Sequence, residues 1–111
     1  MGEFIVDDVK WKKGEQGIQQ FILFESDGIT RRDGTGKDYA FSFWKRGAQV
    51  LKGTGTLSPT DTVEGEYNYT VIATDTDTVF DHYLGELIED PAGTKLKSES
   101  FKVIVEESSA L

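Results

Sequence analysis

A chain of 111 residues, 37% hydrophobic and 29% charged, has the composition of a single soluble globular domain rather than a disordered one, and is too short for two domains. Its net charge of −8 argues against binding nucleic acid or anionic membrane, which need concentrated Lys and Arg. The absence of cysteine excludes disulfides and thiolate metal sites.

In chain order, Glu3-Phe4-Ile5-Val6-Asp7-Asp8-Val9 reads as a short strand, broken by Lys10–Gly17 with its two glycines. A second strand, Ile18 to Glu25, carries Phe21 and Leu23 on one face and Ile18, Ile22 and Phe24 on the other. Ser26 to Lys37 is rich in Gly and Asp, has Ile29 as its one apolar residue, and reads as a long exposed loop. The third strand, Asp38 to Lys45, points Tyr39, Phe41 and Phe43 inward and Ala40, Ser42 and Trp44 outward. After a turn at Lys45-Arg46-Gly47, Ala48 to Lys52 forms a fourth strand ended by Gly53-Thr54-Gly55, and Thr56 to Gly65 is a Ser/Pro/Thr/Asp connection. A fifth strand, Glu66 to Ala73, alternates Tyr67, Tyr69, Val71 and Ala73 against Asn68, Thr70 and Ile72. No segment repeats apolar residues at three and four, so no helix is expected.

The strongest signal lies between Val79 and Val105. Val79–Glu89 has the aromatic and β-branched content of a strand, and Asp90-Pro91-Ala92-Gly93 has type I turn chemistry. On the returning arm, Phe101, Val103 and Val105 alternate with Lys102, Ile104 and Glu106. Strands at roughly ten-residue intervals predict an all-β fold, an immunoglobulin-like β-sandwich of about seven antiparallel strands. A small Greek-key barrel is the main rival. One domain is expected over residues 1–111, with a short flexible tail at 106–111. The predicted core is Tyr39, Phe41, Phe43, Tyr69, Val71, Tyr83, Leu87, Phe101 and Val103.

Charge is segregated along the chain. All twelve Lys and Arg lie in Lys10–Lys52 or Lys95–Lys102, whereas Gly53–Thr94 holds nine acidic residues and neither Lys nor Arg. Attraction between two solvated surfaces, aiding folding and solubility, is the plain reading. With strands alternating in direction, the Lys10–Gly17, Lys45–Ala48 and Thr74–Thr78 connections share one end. Asp75 and Asp77 are then expected near Lys12, Lys13, Lys45 or Arg46.

Catalysis finds little support. His82 is the only histidine and lies within a strand, so a His-ligated metal or a Ser-His-Asp arrangement would rest on one residue. Asp75 and Asp77, with Asp81, are oxygen ligands of the kind calcium takes, but without a calcium-loop motif they read as solvated turn acids. Gly34-Thr35-Gly36-Lys37 lacks the glycine spacing and strand-loop-helix setting of a phosphate loop. No cofactor or metal is expected. A carbohydrate-binding module is the alternative of a different class, with Trp11 and Trp44 as platform residues unless they pack against neighbouring strands.

From about Gly14 to Glu107 the chain resembles the N-terminal immunoglobulin-like domain of the phage baseplate upper protein family. Gly14-Glu15-Gln16-Gly17 followed by a strand to Asp27-Gly28 resembles the family's opening, and Val50-Leu51-Lys52-Gly53-Thr54-Gly55 its central strand and glycine break. Glu64-Gly65-Glu66-Tyr67-Asn68-Tyr69 resembles its Gly-then-Tyr strand. Tyr83–Asp90 with Gly93 and Ser98–Val105 resembles its closing hairpin. The acidic residue just after the opening glycine is Glu15, and Asp81-His82 replaces a glycine expected before the hairpin tyrosine. Family members continue into linkers and helical or adhesive modules, so the resemblance implies either an excised domain or a complete small virion protein of the same fold. It further implies a non-enzymatic structural protein of a tailed-phage virion, in the tail or baseplate, with a capsid-surface decoration protein as the alternative. The N-terminus lacks the basic-then-apolar design of a signal peptide, which fits synthesis in the host cytoplasm.

The partners expected are other virion proteins or a second copy of the chain. If Phe21 and Leu23 enter the core, Ile18, Ile22 and Phe24 point outward, and Ile72 joins them from the neighbouring fifth strand. Four apolar residues on adjacent strands make a patch of the kind that marks an interface, unless the N-terminal segment or a loop covers it. The interface candidates are therefore Ile18, Ile22, Phe24 and Ile72, with Trp11 and Trp44.

Overall fold

Among the residues described by the structure, a computed structural model (4–48, 50–90, 93 and 95–107), alternation of side chains gives ten strands. They are β1 (Ile5–Val6), β2 (Val9–Lys12), β3 (Gly17–Phe24), β4 (Tyr39–Lys45), β5 (Leu51–Thr56), β6 (Ser58–Asp61), β7 (Glu66–Val71), β8 (Phe80–Glu89), β9 (Leu96–Lys97) and β10 (Phe101–Glu106). Ala73–Asp75 is a single 3-10 turn. The smaller sheet has the order β1-β3-β7-β6, and the larger β2-β10-β8-β4-β5 with β9 paired to β8. Every pairing is antiparallel except that of β2 with β10, which is parallel.

The N-terminal segment does not form the one strand expected from Glu3 to Val9. Its buried residues are Phe4, Val6, Val9 and Trp11. Alternation holds within each half, but Val6 and Val9 are three apart, so the phase breaks at Asp7-Asp8. Those two exposed aspartates carry the chain from one sheet to the other. Ile5 and Val6 pair with Phe24 and Leu23, whereas Val9–Lys12 runs beside Val103–Glu106. Asp8 fixes the crossing, its Oδ1 accepting from the Lys102 N–H at 2.9 Å.

The two sheets bury one shared aromatic core. Phe41 of β4 lies at its centre, with ring centroids 5.0 Å from Phe21, 4.8 Å from Tyr69 and 6.0 Å from Phe101. Tyr39 meets Tyr67 across the same interface at 4.7 Å. All nine residues of the predicted core are buried. Gly53 and Gly55 lie inside β5 instead of ending it. A Cβ at Gly53 would sit 2.5 Å from a Phe43 ring carbon and one at Gly55 2.8 Å from a Tyr69 ring carbon, so glycine lets the strand lie against these rings.

The Thr56–Gly65 connection contains β6, which pairs with β7. Its residues Ser58-Pro59-Thr60-Asp61 are all exposed, so the segment has no apolar period to announce it. Pro59 suits its edge position. At the hairpin the Gly93 N–H donates to Asp90 O at 2.8 Å, as a four-residue turn requires, while Pro91 and Ala92 lie outside the described residues. Glu106 belongs to β10, and residues 108–111 of the expected tail lie outside the described residues.

Phe41→Ala is expected to cost about 3–5 kcal/mol of unfolding free energy in urea denaturation, because five neighbouring rings cannot all collapse into the space. A loss under about 1 kcal/mol, the scale of an ordinary surface change, contradicts the central placement of this ring.

All four tyrosines are buried, and burial raises the pKa of each phenol. Hydrogen bonds to Glu89 and Asp75 raise Tyr39 and Tyr69 further. A pKa raised in the folded state gives stability that is fully present below the unfolded value of about 10 and is lost as pH climbs past it. The denaturation midpoint should therefore fall above about pH 10, with phenolate absorbance appearing only as the protein unfolds. Phenolate formed with an ordinary titration in the folded state would contradict this.

Candidate interaction surfaces

The outer face of the smaller sheet holds four of the six interface candidates. β3 and β7 are neighbours, with Ile18 opposite Thr70 and Ile22 opposite Glu66. Ile18 is 63% exposed and Ile72, just beyond β7, is 51% exposed. Ile22 and Phe24 are half-buried. Phe24 forms an isolated bridge with Arg31, whose guanidinium lies 5.7 Å from the Phe24 ring centroid and whose Nη1 reaches Glu66 at 3.2 Å. The loop after β3 thus turns back and lays an arginine over this end of the sheet. The four residues do not make one continuous open patch: Ile18 and Ile72 are open, and Phe24 is shared with Arg31.

Trp11 is not a surface platform. It is 1% exposed, because the sheet switch at Asp7-Asp8 puts β2 in the large sheet with Val9 and Trp11 facing inward. Its indole stacks on Tyr69 at 6.5 Å, meets Phe43 edge-on at 5.6 Å, and donates Nε1–H to Gln19 Oε1 at 3.0 Å. The ring closes the corner left where β1 departs from β3. A two-tryptophan sugar platform is thereby ruled out.

Trp44 faces the other way. It lies on the outer side of the large sheet, half-buried, in a row that crosses four strands: Leu51 opposite Trp44, Trp44 opposite Leu84, Leu84 opposite Lys102. Leu51 is 52% exposed. Ala40, Ile88 and Ile104 are half-buried on the same side of their strands. This apolar outer face was foreshadowed in sequence by the outward phase of Ala40, Trp44 and Ile104.

Two β-bulges shape that face. Between Phe43 and Trp44 the register on β5 skips from Gly53 to Leu51, leaving Lys52 as the extra residue. Its ammonium turns to Asp77 and pairs with it. The second bulge lies in β8, where Val103 is opposite Tyr83 but Val105 is opposite Phe80. Asp81 and His82 are therefore both exposed instead of alternating. They form part of a shallow groove of about 350 Å³, with Arg46, Leu84, Lys102 and Ile104 among the other lining residues. His82 Nε2 lies 3.2 Å from Asp81 Oδ1.

The Lys10–Gly17 and Thr74–Thr78 turns meet as expected, but not through the expected pairs. The Gly14 N–H donates to Thr76 O at 2.9 Å and the Thr76 hydroxyl donates to Glu15 O at 2.8 Å. Asp77 is bound by Lys52, which the bulge brings to it, and Lys10 and Lys12 pair instead with Glu106. Lys52 and Thr78 hold the Asp77 carboxyl below the usual range. Asp75 is buried. Its Oδ2 accepts from the Tyr69 hydroxyl at 2.7 Å and the Ile72 N–H at 3.0 Å. Asp75, Asp77 and Asp81 are not brought together, and no group of three or more potential metal ligands occurs among the described residues.

At the opposite ends of β4 and β8 lies a group the sequence reading passed over. Glu89 is 1% exposed, accepts from the Tyr39 hydroxyl, and receives Arg32 through Nε at 3.0 Å and Nη2 at 3.3 Å. Arg32 also donates to Glu25 at 2.8 Å and lies 4.9 Å over the Phe4 ring. Glu25, Glu89 and the Tyr39 hydroxyl surround this guanidinium and keep its pKa above the ordinary arginine value despite partial burial. The available signal was parity: Glu89 shares the inward phase of Tyr83 and Leu87.

Arg32→Met should cost about 3–5 kcal/mol, since it leaves the Glu89 charge buried without its cation. Adding Glu89→Gln keeps an acceptor for Tyr39 and removes the charge, so the double variant should regain part of the loss in thermal or urea unfolding. A double variant no more stable than Arg32→Met would mean that arginine packing, not charge compensation, is what matters.

Protein-family models and curated proteins alike show no match to this chain.

Proposed function

We propose that the chain is a non-enzymatic, immunoglobulin-like building part of a tailed-phage virion, acting in the tail or baseplate through protein-protein contacts. Strand order supports the immunoglobulin-like assignment. β1, β3, β7 and β6 take the places of strands A, B, E and D of such a domain, and β4, β8 and β10 those of C, F and G, with β5 added at the C edge as in variable-type domains. The family resemblance, from the opening Gly14-Glu15-Gln16-Gly17 to the closing hairpin, supports the virion setting.

The observation that carries an assembly role is the apolar row Leu51–Trp44–Leu84 on the outer face of the large sheet. Contiguous apolar side chains that cross neighbouring strands and remain partly open are a feature of surfaces that meet another protein. The partner is another virion protein or a second copy of the chain.

Mass spectrometry of separated heads and tails is the test. The expected result is the chain in tail fractions at a fixed ratio to tail proteins. Its presence in heads alone selects the capsid-decoration alternative, and its absence from both overturns the virion reading. Leu51→Lys with Trp44→Lys should leave the protein folded and lower its incorporation into particles.

A further inference from the structure

The β8 bulge gives the large sheet a feature that the apolar row alone does not have. Because Asp81 and His82 both face outward, the outer surface dips between β8 and β10 into the groove of about 350 Å³. Its floor is aliphatic, with Leu84 and Ile104, and Arg46 and Lys102 stand beside it. These two cations belong to fixed backbone. The Arg46 N–H donates to His82 O at 2.9 Å and the Lys102 N–H to Asp8 Oδ1 at 2.9 Å.

Among the described residues neither Arg46 nor Lys102 has a carboxylate within ion-pair distance, and the same holds for Lys13, Lys45 and Lys95, whereas Lys10, Lys12, Lys37, Lys52, Lys97, Arg31 and Arg32 are paired; Arg46 and Lys102 are the two of the five that line one groove. Asp81, the groove's one carboxylate, lies beside His82. In a chain of net charge −8, two cations without acidic partners beside an apolar floor complement a ligand that is both acidic and apolar.

We propose that this groove binds an acidic polypeptide segment of a neighbouring virion subunit, with carboxylates on Arg46 and Lys102 and an apolar side chain over Leu84 and Ile104. This rests on the reading of the domain as an assembly part. A saccharide fits less well, because sugars seek an open aromatic face, Trp44 is not part of the groove lining, and Tyr83, which is, is buried. The arginine fork matches a carboxylate with two parallel hydrogen bonds, and burying the apolar side chain adds affinity that a free anion lacks.

The test is an NMR amide-shift titration of the whole chain with the capped peptide Glu-Leu-Glu-Leu-Glu, its Gln-Leu-Gln-Leu-Gln counterpart, glucuronate and inorganic phosphate. The acidic peptide is expected to shift the amides of Asp81–Leu84 and Lys102–Ile104. Its affinity should fall with added salt and drop about tenfold or more in Arg46→Gln/Lys102→Gln. The salt series and the Gln peptide use the unaltered chain, so the outcome does not depend on how well the variant folds. Absence of groove shifts, equal binding of the Gln peptide, or equal binding of glucuronate or phosphate overturns the proposal. Groove shifts that grow with protein concentration alone also overturn it, assigning the groove to a second copy. If the chain is absent from particles but the peptide binds, the virion reading fails and the groove stands; the reverse pair of results removes the groove alone.

Discussion

The aromatic row Tyr39–Phe41–Phe43 on the inner face of β4 is the constraint to which the rest of the molecule is fitted. Three large rings in succession need a facing layer that is both deep and close. Phe21 and Tyr69 provide it from the smaller sheet, and Phe101 and Tyr83 flank the row within the larger sheet. Each such ring pair adds about 0.5–1.5 kcal/mol beyond buried area. On the edge side the same rings leave no space for side chains, and β5 answers with Gly53 and Gly55. At the corner opened by the sheet switch, Trp11 completes the layer.

Using tyrosine in such a layer creates a second demand, because a buried hydroxyl needs a partner. The ends of the core supply them. Tyr67 donates to Gly34 O at 3.0 Å, Tyr69 to Asp75 and Tyr39 to Glu89. Only the Tyr83 hydroxyl lacks a partner among the described residues. Accepting from Tyr39 places Glu89 inside, and a buried carboxylate in turn requires Arg32. In this way a loop that looks solvent-directed in sequence is tied to the core by the chemistry of one phenol.

The segregated charges have a comparable logic. Lys37–Asp90, Lys52–Asp77, Lys97–Glu86, Arg31–Glu66 and Arg32–Glu89 each join a basic stretch to the acidic Gly53–Thr94 block. Apart from the buried Arg32–Glu89 pair, these more exposed pairs contribute about 0–1 kcal/mol each, so their main effect is to favour correct pairing of segments over incorrect pairing. Arg46 and Lys102, beside the β8 bulge, lie outside this pattern and share one groove. A functional surface on a sandwich is set as much by where strands depart from regular pairing as by their regular parts.

Side-chain parity in the sequence determined which residues of β3, β4, β7, β8 and β10 face inward, because a strand's alternation is a property of its own backbone. The inward side of Phe41 and the outward side of Trp44 follow from that alone. The break in phase between Val6 and Val9 was also present in the sequence, but not that it carries the chain into the other sheet and buries Trp11. That destination depends on which edge is free to receive β2, a matter of contacts with β10, more than ninety residues away. The bulges at Lys52 and Asp81-His82 are likewise set by the register of partner strands, and Arg32 reaches Glu89 across 57 positions of chain. Local periodicity fixes which way a side chain points; what it meets there is decided only when distant strands pack together.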